Sequence, residues 1–298
     1  MAPKMPEQRS SPIPRRQTPP LADKKSLFWL ASYPKSGNTW CRIFLANYLF
    51  NRRTPMPINQ VHRAGMGDAM SKAHAVFVKG PFDPTDHLAV LKVRPMMLRS
   101  LSSGGADLMF VKTHNARTEA FGITLIPKSV SRGAIYIIRH PLDVACSYGR
   151  FYDMTAEQAC DALSRPDNTI AGSTETVPQY LGNWSDHVLS WTKKPGFPVM
   201  VLRYEDLLTD PAGGFREMLK HIGMSVDEDR LDRAVRFSSF SEVKSQEERD
   251  GFIEKSATAE RFFHAGGSGN WRTQISPEAA DRFLRTHRKT MRAYGYTL

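Results

Sequence analysis

Cysteine is scarce, with three residues (Cys41, Cys146, Cys160) in a chain of 298. Three thiols make no disulfide framework and their spacing fits no zinc site, so reduced cysteines in a cytoplasmic protein are expected. No apolar run approaches the roughly 18 residues that a membrane helix needs. The N-terminus also lacks the apolar core of a secretory signal. Acidic residues are in deficit: 41 Lys and Arg stand against 30 Asp and Glu, a formal net charge of +11. Such an excess points to an anionic partner. The basic residues are scattered, however, without an RNA-recognition motif, a zinc finger or a basic helix. A small, highly charged ligand accounts for them at least as well as nucleic acid, which is not expected as a partner.

What is present begins with a tail. Residues 1–25 mix Lys, Arg and Pro with little apolar content, a composition that predicts disorder. Repeated Pro opposes the amphipathic helix of a transit peptide. The whole chain is 41% hydrophobic, and residues 26–298 are then one domain, in which short apolar runs alternate with amphipathic stretches. Strands are expected at 27–33, 107–112, 134–139 and 198–203. Helices are expected at 39–50, 86–100, 141–152, 178–193, 211–222, 228–236 and 277–293, with Pro211 and Pro277 placed as early helical residues. Continuous apolar strands between polar turns predict an α/β fold, a central parallel sheet flanked by helices. Segments 51–85 and 238–276 show no clear period and are read as loops.

Each expected strand ends in a polar cluster: Lys35-Ser36, Lys112-Thr113-His114, Arg139-His140, and Arg203-Tyr204-Glu205-Asp206. Ligands of open α/β sheets bind outside the carboxyl ends of the strands. The first cluster is the most informative. Tyr33-Pro34-Lys35-Ser36-Gly37-Asn38-Thr39-Trp40 follows the apolar run Leu27–Ala31 and leads into a helix. Strand, polar loop and helix together aim backbone amides at one point, a cradle for phosphate or sulfate. The order is not that of a Walker A loop, in which the Lys follows the last Gly and a magnesium ligand stands beside it. The loop therefore reads as an anion cradle without nucleotide-bound magnesium, which favours sulfuryl over phosphoryl transfer.

That loop, Lys112-Thr113-His114, Arg139 followed by Ser147, Tyr204-Glu205-Asp206 and Gly266-x-x-Gly269-Asn270-Trp271-Arg272 occur in the order seen in the soluble sulfotransferase family, which this sequence resembles over roughly residues 27–280. The resemblance implies a P-loop-like phosphosulfate-binding loop. It also implies transfer of a sulfuryl group from 3′-phosphoadenylyl sulfate (PAPS) to a hydroxyl or amine, by in-line attack, with no metal. It assigns His114 as general base, with Lys35 and Lys112 offsetting charge. Lys35, Ser36, Gly37, Asn38 and Thr39 would hold the 5′-phosphate, and Arg139 and Ser147 the ribose 3′-phosphate. Trp40, Tyr204 and Phe240 would enclose the adenine, beside Ser239, while Gly266 and Gly267 would form a nest at the 3′ end. Trp184 and Trp191 read as core.

The last motif departs from the family pattern. An Arg and a Lys expected before the glycines are replaced by His264 and Ala265. Two cations lost near a doubly charged phosphate are expected to weaken donor binding, or else Arg261 or Arg272 supplies the charge from a shifted loop. The acceptor is a small-molecule, lipid or sugar hydroxyl, its pocket expected from loops 51–85, 150–180 and 238–265. A homodimer is one option for the oligomeric state. Two rival classes remain open at this point. A kinase-like enzyme would need Asp206 or Asp107 to hold a metal, and a non-enzymatic polyanion binder would explain the charge but not the motif series.

Overall fold

Alternate residues of the run Leu27–Ser32 enter two different cores. Leu27, Trp29 and Ala31 pack on one face of the sheet, Phe28 and Leu30 on the other. All six residues are buried, as a strand covered on both faces requires. The structure is a computed structural model that describes residues 25–256, 259–264 and 266–296. The expected tail therefore lies outside the described residues, apart from Lys25.

The strands are β1 (Leu27–Ser32), β2 (Met66–Gly67), β3 (Met109–Thr113), β4 (Glu119–Ala120), β5 (Ile123–Thr124), β6 (Ser131–Ile138), β7 (Thr169–Ile170), β8 (Gln179–Tyr180) and β9 (Val199–Arg203). Five of them form a parallel sheet in the order β2-β3-β1-β6-β9. The others make two short antiparallel pairs, β4 with β5 and β7 with β8. The helices are α1 (Asn38–Phe50), α2 (Ser71–Ala75), α3 (His87–Ser103), α4 (Pro141–Tyr152), α5 (Ala156–Ser164), α6 (Trp184–Thr192), α7 (Tyr204–Thr209), α8 (Pro211–Ile222), α9 (Glu228–Phe237), α10 (Phe240–Asp250) and α11 (Pro277–Ala293).

One core is built from Trp29, Tyr136, Trp184, Trp191 and Phe283, under α4, α6 and α11. The other joins Phe28, Ile135, Phe44, Phe215 and Leu231, under α1, α8 and α9. Trp184 and Trp191 are both fully buried, each worth roughly 2–3 kcal/mol of apolar burial. Among the described residues, no helix is long and apolar enough to cross a membrane.

Three expectations need correction. The segment 178–193 is not one helix. Gln179–Tyr180 pairs as a strand, Gly182 turns the chain at φ 64°, and Asn183 caps a helix starting at Trp184 by accepting from the Asp186 N–H. Segment 51–85 supplies the edge strand β2 and helix α2. Segment 238–276 contains α10, which Ser239 caps by accepting from the Glu242 N–H. These pieces are too short or too polar to show a hydrophobic period.

Register decides where the polar strand ends meet. Ala31 lies beside Thr113, Ser32 beside Ile137, and Ile138 beside Arg203. Because every pair is parallel, the residues that follow β1, β3, β6 and β9 emerge side by side at one edge of the sheet.

Candidate active site

The loop after β1 turns into α1 through Gly37, whose φ of 104° suits only glycine. A Cβ there would also meet the Tyr204 ring at 2.6 Å. No side chain caps α1, so its first N–H groups remain available to an anion. Asn38 ties the strand to the helix, its Nδ2 donating to the Leu30 carbonyl at 2.8 Å. Lys35, itself at φ 69°, places its ammonium 4.1 Å from the centre of the Phe151 ring and 3.9 Å from that of Phe262. Burial, then the nearby Lys112 charge, lower its pKa to about 7. A nearby anion works against that shift, since an opposite charge favours the protonated ammonium.

His114 follows β3 directly. Its Nδ1 lies 2.9 Å from the Ser32 carbonyl oxygen and 3.3 Å from Ser32 Oγ. A carbonyl only accepts, so Nδ1 carries the proton and Nε2 keeps its lone pair. Burial, then Lys112, hold the imidazole well below its usual pKa, neutral at physiological pH. Lys112 makes an ion pair of 3.5 Å with Glu254. The Glu254 carboxylate also receives two bonds from Arg42 on α1, at 3.0 and 2.7 Å. Burial alone would raise the Glu254 pKa, but Lys112 and then Arg42 pull it well below the carboxylate range. Glu254 is therefore a fixed anion and a poor proton acceptor, whereas the neutral His114 ring keeps a lone pair on Nε2.

At the far end, Arg139 does not pair with Asp143. Its guanidinium donates to the carbonyls of Lys35 (3.1 Å) and Gly267 (2.9 Å) and lies 4.4 Å over the Tyr204 ring. Among the described residues, its buried Nε has no hydrogen-bond partner, which is uncommon for a buried donor. Asp143 instead anchors the glycine segment, accepting from Ser268 Oγ (3.1 Å) and from the N–H groups of Gly269 (2.7 Å) and Trp271 (3.2 Å). Gly266, at φ 60°, packs against Phe240, where a Cβ would come within 2.5 Å of the ring.

These residues surround one cavity of about 1080 Å³. Of the site residues expected from sequence, Lys35, Gly37, Asn38, Thr39, Trp40, Lys112, His114, Arg139, Ser147, Tyr204, Ser239, Phe240 and Gly266 all line it. Ser36 and Gly267 do not. Ser36 is 1% exposed, and Gly267 spends its carbonyl on Arg139. Trp40 stands edge-on to Tyr204 at 5.7 Å and to Phe215 at 5.6 Å. Its buried Nε1 likewise has no partner among the described residues.

Neither expected replacement cation reaches the cavity. Arg261 pairs with Glu248 at 3.0 Å and Arg272 lies over Trp271. Arg150, one turn beyond Ser147 on α4, does line it and donates to Gln274 at 2.7 Å. His264 is on the wall, whereas Ala265 lies outside the described residues. Segment 51–85 contributes nothing to the described lining. It supports the wall from behind, with Ser71 bonded to the backbone of Thr174 and Glu175. Sequence reasoning missed Arg42, Asp143, Arg150 and Glu254, because each acts through residues far away in the chain. Among the described residues, no three His, Cys, Asp or Glu side chains cluster as a metal site would require.

An anion cradle facing a neutral imidazole across one cavity is the layout of a group-transfer enzyme with an anionic donor. The family model described as a sulfotransferase domain matches residues 25–295, and the chain belongs to that family. Sulfotransferase 1A1 of Canis lupus familiaris is 26% identical over 278 residues, covering 89% of this chain and 83% of the relative. Sulfotransferase 1 family member D1 of Rattus norvegicus is 23% identical over 273 residues, covering 88% and 82%. Two solved structures share the fold. Mouse sulfotransferase SULT7A1 complexed with PAP has a TM-score of 0.59 at 20% identity, covering 91% of this chain and 86% of its own. Retinol dehydratase in complex with androsterone and inactive cofactor PAP has a TM-score of 0.61 at 18% identity, covering 94% and 83%. The kinase-like and polyanion-binding alternatives are not favoured. Asp206, one of the two acidic residues the kinase reading needed, is paired with Arg203 at 3.2 Å.

Proposed function

We propose that the cavity holds PAPS along α1 and α4 and the acceptor against the wall opposite, with His114 as the base of this PAPS-dependent sulfotransferase. The observation that carries the reading is the Ser32–His114 bond, which leaves Nε2 unprotonated in a cavity that Lys35 and Lys112 also line. The residues also fit the donor. The uncapped α1 N-terminus and Lys35 suit the 5′-phosphate. Arg139 with its spare Nε, Ser147 and Arg150 suit the 3′-phosphate, and Arg150 takes the place of the cations lost at His264 and Ala265. Trp40, Tyr204 and Phe240 offer aromatic faces for the adenine.

PAPS supplies the sulfuryl group and leaves as 3′-phosphoadenosine 5′-phosphate (PAP). Lys35 offsets the charge that builds on the leaving phosphate oxygen. His114 Nε2 takes the acceptor proton, while Lys112 faces the transferring group. The acceptor wall combines Phe151, Tyr152, Ile170, Phe262 and Phe263 with the polar Thr176 and Gln179. That mixture supports an apolar or aromatic alcohol, such as a phenol or a lipid alcohol, ahead of a sugar. Three buried free thiols agree with a cytoplasmic setting.

His114→Ala tests the assignment. Turnover of a phenol panel with labelled PAPS should fall about 100- to 10,000-fold, while PAP binding measured by calorimetry stays within a few-fold. Activity that survives the substitution would remove His114 from the base role.

A further inference from the structure

We propose that Glu254 is a positioning residue for sulfuryl transfer, its carboxylate clamped by Arg42 and fixing the Lys112 ammonium between donor and acceptor. The proposal rests on the sulfotransferase reading of this cavity. Three observations carry it. Glu254 lines the cavity and joins two cations at once, Arg42 at 2.7 Å and Lys112 at 3.5 Å. Arg42 is 6% exposed and sits on α1, one turn after the anion cradle. Its guanidinium grips both carboxylate oxygens, a geometry that fixes direction as well as distance. Arg42 and Lys112 also share a small apolar pocket with Leu30, Leu45 and Val61, which packs the two residues against the same surface.

The arrangement has a chemical consequence. Lys35, Lys112 and His114 line the same cavity, and the Lys112 charge disfavours a positive charge on both Lys35 and His114. Asp68 from the loop after β2 and Arg42 from α1 also face Lys112. Glu254 is the carboxylate bonded to Lys112, and it works against the burial that lowers the Lys112 pKa. It thereby keeps that ammonium charged and still in the free enzyme, before any sulfonate arrives. Without it, a flexible four-carbon stem would have to be ordered during the reaction, and misplacement by about 1 Å costs about 100-fold in rate.

The test compares wild type, Glu254→Gln, Glu254→Asp, Lys112→Met and the double variant Glu254→Gln/Lys112→Met. PAP binding by calorimetry and wild-type turnover of 2-naphthol with PAPS come first. A wild type that binds no PAP overturns the sulfotransferase reading and this proposal with it. Given PAP binding, Glu254→Gln should lower kcat about 10- to 100-fold with the KM for PAPS little changed. Glu254→Asp should recover part of the loss, and the double variant should be no slower than Lys112→Met alone. In the free protein, the Lys112 NMR signal should titrate at lower pH in Glu254→Gln than in wild type. If unpairing Arg42 prevents folding, the same set in an Arg42→Met background reads the same coupling. Additive losses in the double variant, a change confined to the KM for PAPS, or an unmoved Lys112 titration each overturn the proposal.

Discussion

The loops before α1 and before α11 both bring glycines to the cavity, but they are built in opposite ways. The first is made by its own neighbours in the chain. A buried strand ends at Ser32, Gly37 turns at φ 104°, and α1 begins at once without a side-chain cap. The second has no strand or long helix of its own to lean on. It is held from outside by three bonds to Asp143 on α4, by Arg139 donating to the Gly267 carbonyl, and by Phe240 against Gly266. Further upstream, Glu247 on α10 accepts from the N–H groups of Phe262 and Phe263 at 2.6 and 2.9 Å. The difference separates local from non-local construction: one loop carries its own instructions, the other is a surface assembled by distant residues.

If that division also separates chemistry from donor affinity, the largest effect belongs to the first loop. Lys35→Met should lower kcat roughly 100- to 1000-fold while weakening PAP much less. The pH dependence follows from the same group. Lys35 binds an anion best when charged, and burial depresses its pKa to about 7. PAP affinity should therefore decline as pH rises through that value, because binding must then take up a proton. Calorimetry of wild type and Lys35→Met across that range decides it, and a step that persists without Lys35 belongs to another group.

Arg139→Ala is the intermediate case, since this residue touches both loops. Loss of charge-assisted bonds to the 3′-phosphate should weaken PAP about 10- to 100-fold, raise the KM for PAPS, and leave kcat within a few-fold. An unchanged KM would confine Arg139 to joining the two loops.

The smallest effect is expected from Asp143→Ala. Three donors lose their acceptor, at a cost of about 1–3 kcal/mol, and PAP affinity should fall about tenfold at most. The telling measurement is amide exchange in the free protein. It should quicken across 266–271 and stay unchanged across 36–40. Equal quickening in both would mean that the first loop also depends on its partner.

Much of the fold was legible because its signals are short-ranged. The strands at β1, β6 and β9 are continuous apolar runs, and α4, α8 and α11 begin at prolines that mark their first turns. The helix expected over 178–193 failed because Gly182 and Asn183 interrupt a period that the later residues carry alone. The edge strand β2, two residues long, has no period to detect. For the site, thirteen of the expected residues line one cavity, most of them because they stand at a strand end or a helix start. Ser147 lies within α4 and Gly266 in the loop before α11. Arg261 and Arg272 were plausible by proximity to Gly266, yet pair formation and ring stacking turn them elsewhere.

The sequence by itself determined the anion cradle, since strand, Gly37 and helix are adjacent in the chain and backbone sterics act over a few residues. It also determined which residue types stand at the edge of a parallel sheet. Tertiary structure alone decided how those groups are held. Arg42 and Glu254 are 212 residues apart, and Asp143 reaches the glycine segment across more than 120. Nothing in a local pattern encodes such a pairing, because it depends on burial forcing charges to find partners wherever the fold brings them.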